Sequence, residues 1–373
     1  MQKGCTRSGP MIERIRRSFA ESEECHHGGR VREAADCLGS EPLDFSANIN
    51  PLGSPPLKDV ISGEMEKLGQ YPDNRYTEFR EAAAAFVGVD VCNIVPGNGS
   101  SEIIRLFAET ALEEGDLAII PFPTFGEYEN QSRLFGAAIH RTNLVTDGQV
   151  EIDNSVLLDA KAFFLCNPNN PTGSLLPKSK IIDLAKRCEH SETFFLVDEA
   201  FIELSDPEQS VVCLAPEMEY LVVMRSLTKS FGVPGLRLGF GVSNNLLTEV
   251  MNRARLPWSI SSIASAAGVE LFKHTDHLEK ARVLIRTELA WLMGQLESLG
   301  LRPMESMVNF ILVDVKPSGL SSGELARRMM AEGILIRDCQ SFGLDAGYIR
   351  VAVRNRDENE RLVAALQRVG CAG

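Results

Sequence analysis

The stretch Ser226-Leu-Thr-Lys-Ser-Phe-Gly-Val-Pro-Gly-Leu-Arg237 directly follows an apolar run at residues 220–224 that reads as a buried strand. Two other segments stand in the same position. Asn167-Pro-Asn-Asn-Pro-Thr-Gly173 follows the run at 162–166, and Asp198-Glu-Ala-Phe201 follows the run at 193–197. Further strand-like runs occur at 118–121 and 238–242, with helical patterns between, as at 101–113 and 178–188. Strands alternating with helices predict an α/β fold whose mostly parallel central sheet is flanked by helices on both faces. Such sheets bind ligands beyond the carboxyl ends of their strands, and all three segments fall there.

The last third changes character. A long helical period at 278–299 precedes strand-like runs at 307–313 and 348–353, which predicts a small α+β C-terminal domain. Residues 1–24 have no clear period and are expected to form a loose arm, and 43–56 is too rich in turn formers for a helix. The expected organisation is an N-terminal arm at 1–55, a large domain at 56–255 and a small domain at 256–373, divided near Leu256-Pro-Trp258.

The chain has 373 residues and a net charge of −13, with 44% hydrophobic and 24% charged residues. That charge, with no long basic run, argues against nucleic acid or an anionic membrane as the main partner. A small anionic substrate stays possible, because a few placed arginines can bind one inside an acidic protein. The nine cysteines are irregularly spaced, without a Cys-x-x-Cys pair, and read as free thiols of a reducing cytoplasm. Residues 1–24 lack an apolar signal region, and no apolar run approaches the roughly 18 residues that span a bilayer. Cys25, His26 and His27 have no second ligand pair at zinc-site spacing, so no metal is expected. Cys188, with His190, falls at the end of a helical pattern and is expected at the surface.

The three segments form a chemical set. Asp198, at the end of a buried strand, sits in low dielectric and needs a cationic partner to stay ionised. A protonated pyridine nitrogen is such a partner, and that proton turns the ring into an electron sink. Lys229 can condense with an aldehyde. Ser226, Thr228 and Arg237, with backbone amides at a helix start, can cradle a phosphate. Singly, each piece has a bland reading: a helix cap, an ordinary turn, a surface lysine. Their joint occurrence after successive strands is specific.

These segments resemble the fold-type-I pyridoxal-phosphate (PLP) enzymes of aminotransferase classes I and II, over roughly residues 28–369. The resemblance implies that Lys229 carries the cofactor as a Schiff base and that Asp198 pairs with its pyridine nitrogen. It implies that Asn170 binds the phenolic oxygen and that Phe125 stacks on the ring. Gly99, Ser100 and Ser101 would receive the phosphate, joined by Ser226, Thr228 and Arg237. Tyr71, in Gln-Tyr-Pro-Asp, matches a tyrosine that reaches the cofactor phosphate of the neighbouring subunit, which implies a homodimer with a shared active site.

The fold does not fix the reaction. Two families fit, the histidinol-phosphate aminotransferases and, with closer resemblance, the threonine-phosphate decarboxylases of cobalamin biosynthesis. The latter is carried by His27-Gly-Gly-Arg-Val-Arg-Glu-Ala-Ala-Asp and Asp44-Phe-Ser-Ala-Asn-Ile-Asn-Pro-Leu-Gly53, which look like that family's N-terminal arm. Leu256-Pro-Trp-Ser, Ile334-Leu-Ile-Arg-Asp-Cys and Tyr348-Ile-Arg-Val-Ala-Val-Arg354 add to it. Phe201 stands where many aminotransferases carry a tyrosine that donates to the phenolic oxygen. The bland reading of Phe201 is core packing. Arg337 and Arg350 are the candidates for the substrate's phosphate and α-carboxylate, with Asn170 beside them and, by resemblance, His27 and Asn48 at the phosphate. Which anion Arg350 takes is open, as is threonine phosphate against serine phosphate. A PLP-binding sensor without turnover is the reading of another class, and the segment before Gly28 is short for the DNA-binding domain that such proteins carry.

Overall fold

The computed structural model describes residues 14–22, 25, 28–29, 31–143 and 151–371. In chain order its first strands are β1 (Leu43–Asp44), β2 (Ile94–Asn98), β3 (Leu117–Phe122), β4 (Ala138–Asn143), β5 (Ala162–Cys166) and β6 (Phe194–Asp198). There follow β7 (Leu221–Ser226), β8 (Leu238–Val242), β9 (Arg302–Pro303), β10 (Phe310–Asp314), β11 (Ile334–Leu335), β12 (Arg337–Asp338) and β13 (Tyr348–Ala352). Strands β2 to β8 form one seven-stranded sheet in the order β2-β8-β7-β6-β5-β3-β4. Only β8 runs against the others, so the sheet is mostly parallel, as its alternation with helices predicts.

Burial on both faces follows from the pleat. Phe163, Phe195 and Val223 point into one apolar cluster, while their chain neighbours Phe164, Leu196 and Val222 point into another. Helix Ser100–Ala111 covers the second face with Ile103, Ile104, Phe107 and Ala108, the helical spacing that builds one apolar stripe. The reversed β8 has a functional consequence: its first residue follows Arg237, which therefore sits at the edge where the parallel strands end.

The 24-residue helix Thr275–Ser298 joins two cores. Leu278 packs with the large sheet, and Leu292 and Leu296 pack with the small sheet β12-β13-β10-β9. The N-terminal arm is stitched to that smaller unit. β1 pairs in parallel with β11, Phe45 N–H donates to the Leu335 carbonyl at 2.8 Å, and Ala352 N–H donates to the Phe45 carbonyl at 2.9 Å. Beyond it, Asn50 Nδ2 donates to the Ser230 carbonyl at 2.7 Å, and Asn309 Nδ2 donates to the Ile49 carbonyl at 3.0 Å. The arm thus runs between the two sheets' domains and touches the turn that carries Lys229.

The five apolar runs at 118–121, 162–166, 193–197, 220–224 and 238–242 are strands, shifted at most by a residue or two. Within the central sheet two strands escape the sequence reading for physical reasons. β2 reads Ile-Val-Pro-Gly-Asn and looks like a turn, yet an edge strand tolerates proline. β4 lies on the other edge and is largely polar. Helix Arg17–Ala20 forms where a loose arm is expected and buries no side chain, whereas Val31–Leu38 carries Val31, Ala34, Ala35 and Leu38 at helical spacing, a period the sequence reading passed over, and buries Ala34. Cys188 is buried, against the expectation of a surface position, because it falls on the inner stripe of helix Lys178–His190. The described cysteines are free thiols. Among the described residues no helix is long and apolar enough to cross a membrane, and no cluster of three or more potential metal ligands occurs.

Phe45 is fully buried in the small core and anchors the arm. Phe45→Ala is expected to lower stability by about 3–5 kcal/mol. Chemical denaturation would measure it, and a loss below about 1 kcal/mol would mean that the arm is not held by this side chain.

Candidate active site

A cavity of about 360 Å³ opens at the carboxyl ends of β5, β6 and β7 and is closed by the arm and the small sheet. Its described lining contains Lys229, Arg237, Arg337 and Arg350 but a single acid, Asp198. Four cationic side chains around one carboxylate make an anion-binding chamber inside a chain of net charge −13.

Asp198 is the last residue of β6 and only 3% exposed. Tyr128 Oη donates to its Oδ2 at 2.5 Å, and Ala200 N–H donates to its Oδ1 at 2.8 Å. Burial outweighs these donors and raises the carboxyl to about 6. Lys229 lies in the turn Leu227–Ser230 after β7 and faces the cavity. Burial, then the guanidinium groups of Arg350 and Arg237, lower its ammonium to about 8, within reach of proton exchange near neutrality.

One end of the cavity has the donors of an anion cup. Ser100 and Ser101 open helix Ser100–Ala111, where unpaired N–H groups and the helix dipole attract anions. Gly99 before them has φ +76°, a conformation that favours glycine, and a Cβ there would displace the end of the Arg237 side chain from the cup. Ser226, Thr228 and Arg237 complete the cup. Thr228 Oγ1 is buried without a hydrogen-bond partner, a donor that a phosphate oxygen would satisfy. Phe125 and Asn170 line the space between cup and Asp198. This donor set fits PLP: a phosphate cup, a lysine, an acid for the ring nitrogen, and an aromatic face.

The opposite end belongs to the small sheet. Arg337 and Arg350 are direct cross-strand partners in β12 and β13, and both lie against the Phe342 ring, at 5.3 and 5.6 Å. Arg337 Nη2 donates to Ser341 Oγ at 2.7 Å. Arg350 is 5% exposed, donates from Nη1 to Asn170 Oδ1 and from Nη2 to the Ser46 carbonyl at 2.7 Å, and keeps a buried Nε without a partner. Burial lowers it to about 10. With its oxygen committed to Arg350, Asn170 has its Nδ2 left to donate. Asn48 is buried in the cavity wall with Oδ1 unpartnered.

The structure therefore gathers Ser100, Ser101, Phe125, Asn170, Asp198, Ser226, Thr228, Lys229, Arg237, Arg337, Arg350 and Asn48 around one cavity, with Gly99 directly behind. His27 lies outside the described residues. Tyr71 is not in the cavity of its own chain: it is 80% exposed and stacks on Trp258 at 4.5 Å. Phe201 lines the cavity and packs edge-on against Phe310 at 5.1 Å, so its core-packing role is real alongside its place in the wall. Sequence reasoning missed Tyr128, Ser46 and Phe342.

Behind the cavity lies a charged cluster that also escapes the sequence. Arg225 pairs with Glu199 at 2.9 Å and with Glu203, all buried, and donates to Ser210 Oγ at 2.7 Å. Glu203 also accepts from Ser230 Oγ at 3.0 Å. This cluster ties the end of β6 to the turn that carries Lys229.

A family model for aminotransferase class I and II matches residues 40–366. The histidinol-phosphate aminotransferase of Methanothermobacter thermautotrophicus is 32% identical over 373 residues, covering 96% of this chain and 98% of that protein. The threonine-phosphate decarboxylase of Salmonella typhimurium is 35% identical over 355 residues, covering 92% and 96%. Among solved structures, the histidinol-phosphate aminotransferase of Sinorhizobium meliloti in complex with pyridoxal-5'-phosphate superposes with a TM-score of 0.85 at 20% identity, covering 95% of this chain and 97% of that one.

The raised Asp198 carboxyl has a pH consequence. Folding raises it from 3.8 to about 6, so the folded protein holds this proton more tightly than the unfolded chain. Ionising it then costs stability as pH rises through that window. Without cofactor, the wild type is expected to lose thermal stability relative to Asp198→Asn between about pH 4 and pH 6, and to level off above. Thermal unfolding of both proteins across pH measures it, and parallel curves would refute the burial cost.

Proposed function

This chain belongs to the aminotransferase class I and II family, and we propose that it decarboxylates O-phospho-L-threonine to (R)-1-amino-2-propanol phosphate and CO2, a step of cobalamin biosynthesis. Its fold is the fold-type-I arrangement, and its cofactor is pyridoxal phosphate. The observation that carries the reading is the adjacent pair Arg337 and Arg350 across the cavity from Lys229. A phosphorylated amino acid has two anionic ends for two guanidinium groups. The arm supports the decarboxylase over an aminotransferase, because Gly28 and residues 46–48 line the same cavity and belong to the segments that resemble that family. Phe201 supports it too, since it puts no phenol in the cavity wall at that position.

When bound, PLP supplies the electron sink that takes up the pair left at Cα as the carboxylate departs. The protein does the rest. Arg237, Ser226, Thr228, Ser100 and Ser101 would hold the cofactor phosphate, Asp198 would keep the ring nitrogen protonated, and Asn170 and Phe125 would orient the ring. Binding of the remote substrate phosphate fixes the torsion at Cα, so that the Cα–carboxylate bond is the one aligned for cleavage. The Cα–C bond breaks, CO2 leaves, and Lys229 returns a proton to Cα. A second reading, histidinol-phosphate aminotransferase, is favoured by the relative that is 32% identical over nearly the whole chain.

The homodimer rests on the exposed apolar surface around Tyr71, which includes Met65, Leu68, Leu256 and Trp258. The partner's copy of this surface would bring a tyrosine to the phosphate cup. Sedimentation should show a dimer of the 41.0 kDa chain, and a monomer at micromolar concentration would remove the shared site.

Given O-phospho-L-threonine and no oxo-acid, the PLP-loaded enzyme is expected to release CO2 and aminopropanol phosphate in equal amounts. Arg337→Ala should raise KM for this substrate by about tenfold or more, with PLP binding little changed. Amino transfer from histidinol phosphate to 2-oxoglutarate, without CO2 release from phosphothreonine, would replace the reading by its rival.

A further inference from the structure

Tyr128 has no exposed surface and makes two contacts that bear on the cofactor site from behind. Its hydroxyl donates to Asp198 Oδ2 at 2.5 Å. Its ring meets the ring of Phe125 edge to face, with centroids 5.7 Å apart and planes at 81°. The far side of the ring is fixed as well: Phe164 stacks on it at 5.6 Å, and Phe107 meets Phe164 edge-on at 5.1 Å. A column of aromatic rings therefore runs from the core beneath helix Ser100–Ala111 to the cavity wall, and Tyr128 is its only member that carries a polar group.

We propose that Tyr128 is a positioning residue that couples two cofactor contacts, holding the Asp198 carboxylate by its hydroxyl and the Phe125 ring by its edge. The hydroxyl and the Ala200 N–H take one lone-pair direction on each carboxylate oxygen, which leaves the others free for the ring N–H. Two donors set the rotation of the carboxylate, and the edge contact sets the plane of Phe125, so acid and stacking face share one support. The phenol serves as a donor throughout, because burial and the neighbouring Asp198 push its own titration well above the ordinary value of 10. Its hydrogen bond also opposes the cost of burying the Asp198 charge, since hydrogen bonding to the charged form favours that form.

The inference concerns the cofactor and holds for either reaction, so its test reads PLP binding and not turnover. The unloaded protein would be titrated with PLP between about pH 6 and pH 9, as wild type, Tyr128→Phe, Asp198→Asn and the double variant. Phenylalanine keeps the ring and its packing. Tyr128→Phe is expected to weaken PLP binding roughly tenfold to a hundredfold, the range of a hydrogen bond to a charged group. It should also move the onset of tight binding to higher pH, because Asp198 then keeps its proton longer. In the Asp198→Asn background the same change should cost less than about threefold, since the charge it serves is gone. Equal losses in both backgrounds, or none in either, would overturn the hydroxyl's role. Tyr128→Leu tests the ring: a further loss beyond Tyr128→Phe that persists with Asp198→Asn is expected, and its absence would overturn the coupling to Phe125. Thermal unfolding of each unloaded variant sets a common temperature at which all are folded for the titrations.

Discussion

The site is organised around an acid that the fold buries almost completely at the floor of the cavity. Asp198 ends a central strand with apolar residues on both faces of the sheet, and its carboxyl is raised to about 6. Two donors from the protein reduce that cost without removing it, which leaves a carboxylate best satisfied by a cation arriving from the cavity. The adjacent acid, Glu199, is turned by the pleat to the other side, where Arg225 pairs with it and with Glu203. Two consecutive acids thus have separate tasks: one faces the ligand, and the other locks the strand end to the turn of Lys229. Removing one partner of such a buried cluster would leave an uncompensated charge, a loss of about 3–5 kcal/mol.

A second electrostatic constraint stands opposite. Arg337 and Arg350 are paired across two strands, an arrangement of like charges that costs stability in an ordinary sheet. Ring faces from Phe342 and Phe310 and the oxygens of Asn170 and Ser46 make the arrangement tolerable. The unpartnered Nε of Arg350 shows that the guanidinium is not fully satisfied by the protein. An anionic substrate would relieve both the repulsion and the unmet donor, so the same feature that strains the empty site favours the loaded one. The Arg350 bond to the Ser46 carbonyl also ties this anion site to the N-terminal arm, and through Asn50 the arm reaches the carbonyl of Ser230, next to Lys229.

Much of this was legible in the chain because the deciding signals are local. Apolar runs of strand length announced the central sheet, and the chemistry-bearing segments directly follow them. Edge strands were less legible: β2 is buried but contains Pro96 and Gly97, and β4 is half solvated, so neither shows the apolar run of an inner strand. Tyr128 stands three residues after Phe125, yet nothing local distinguishes a tyrosine that will meet Asp198, 70 residues on, from one that packs in the core. The arm was the weakest reading. Its helices are short and bury at most one side chain each, and its anchor, Phe45, gains its meaning only from a core built more than 240 residues later.

The sequence by itself determined the sheet's mostly parallel character and the three strand-end segments that bring Asn170, Asp198, Lys229 and Arg237 to one cavity. These depend on hydrophobic runs and on what stands immediately after them. Only the tertiary structure decided that Arg337 and Arg350 are neighbours facing Lys229, that Arg237 reaches the cup because β8 runs backwards, and that Tyr128 supports Asp198 and Phe125 together. Those relations join residues distant in the chain. They are set by strand order, strand direction and the filling of a shared core, none of which a local pattern encodes.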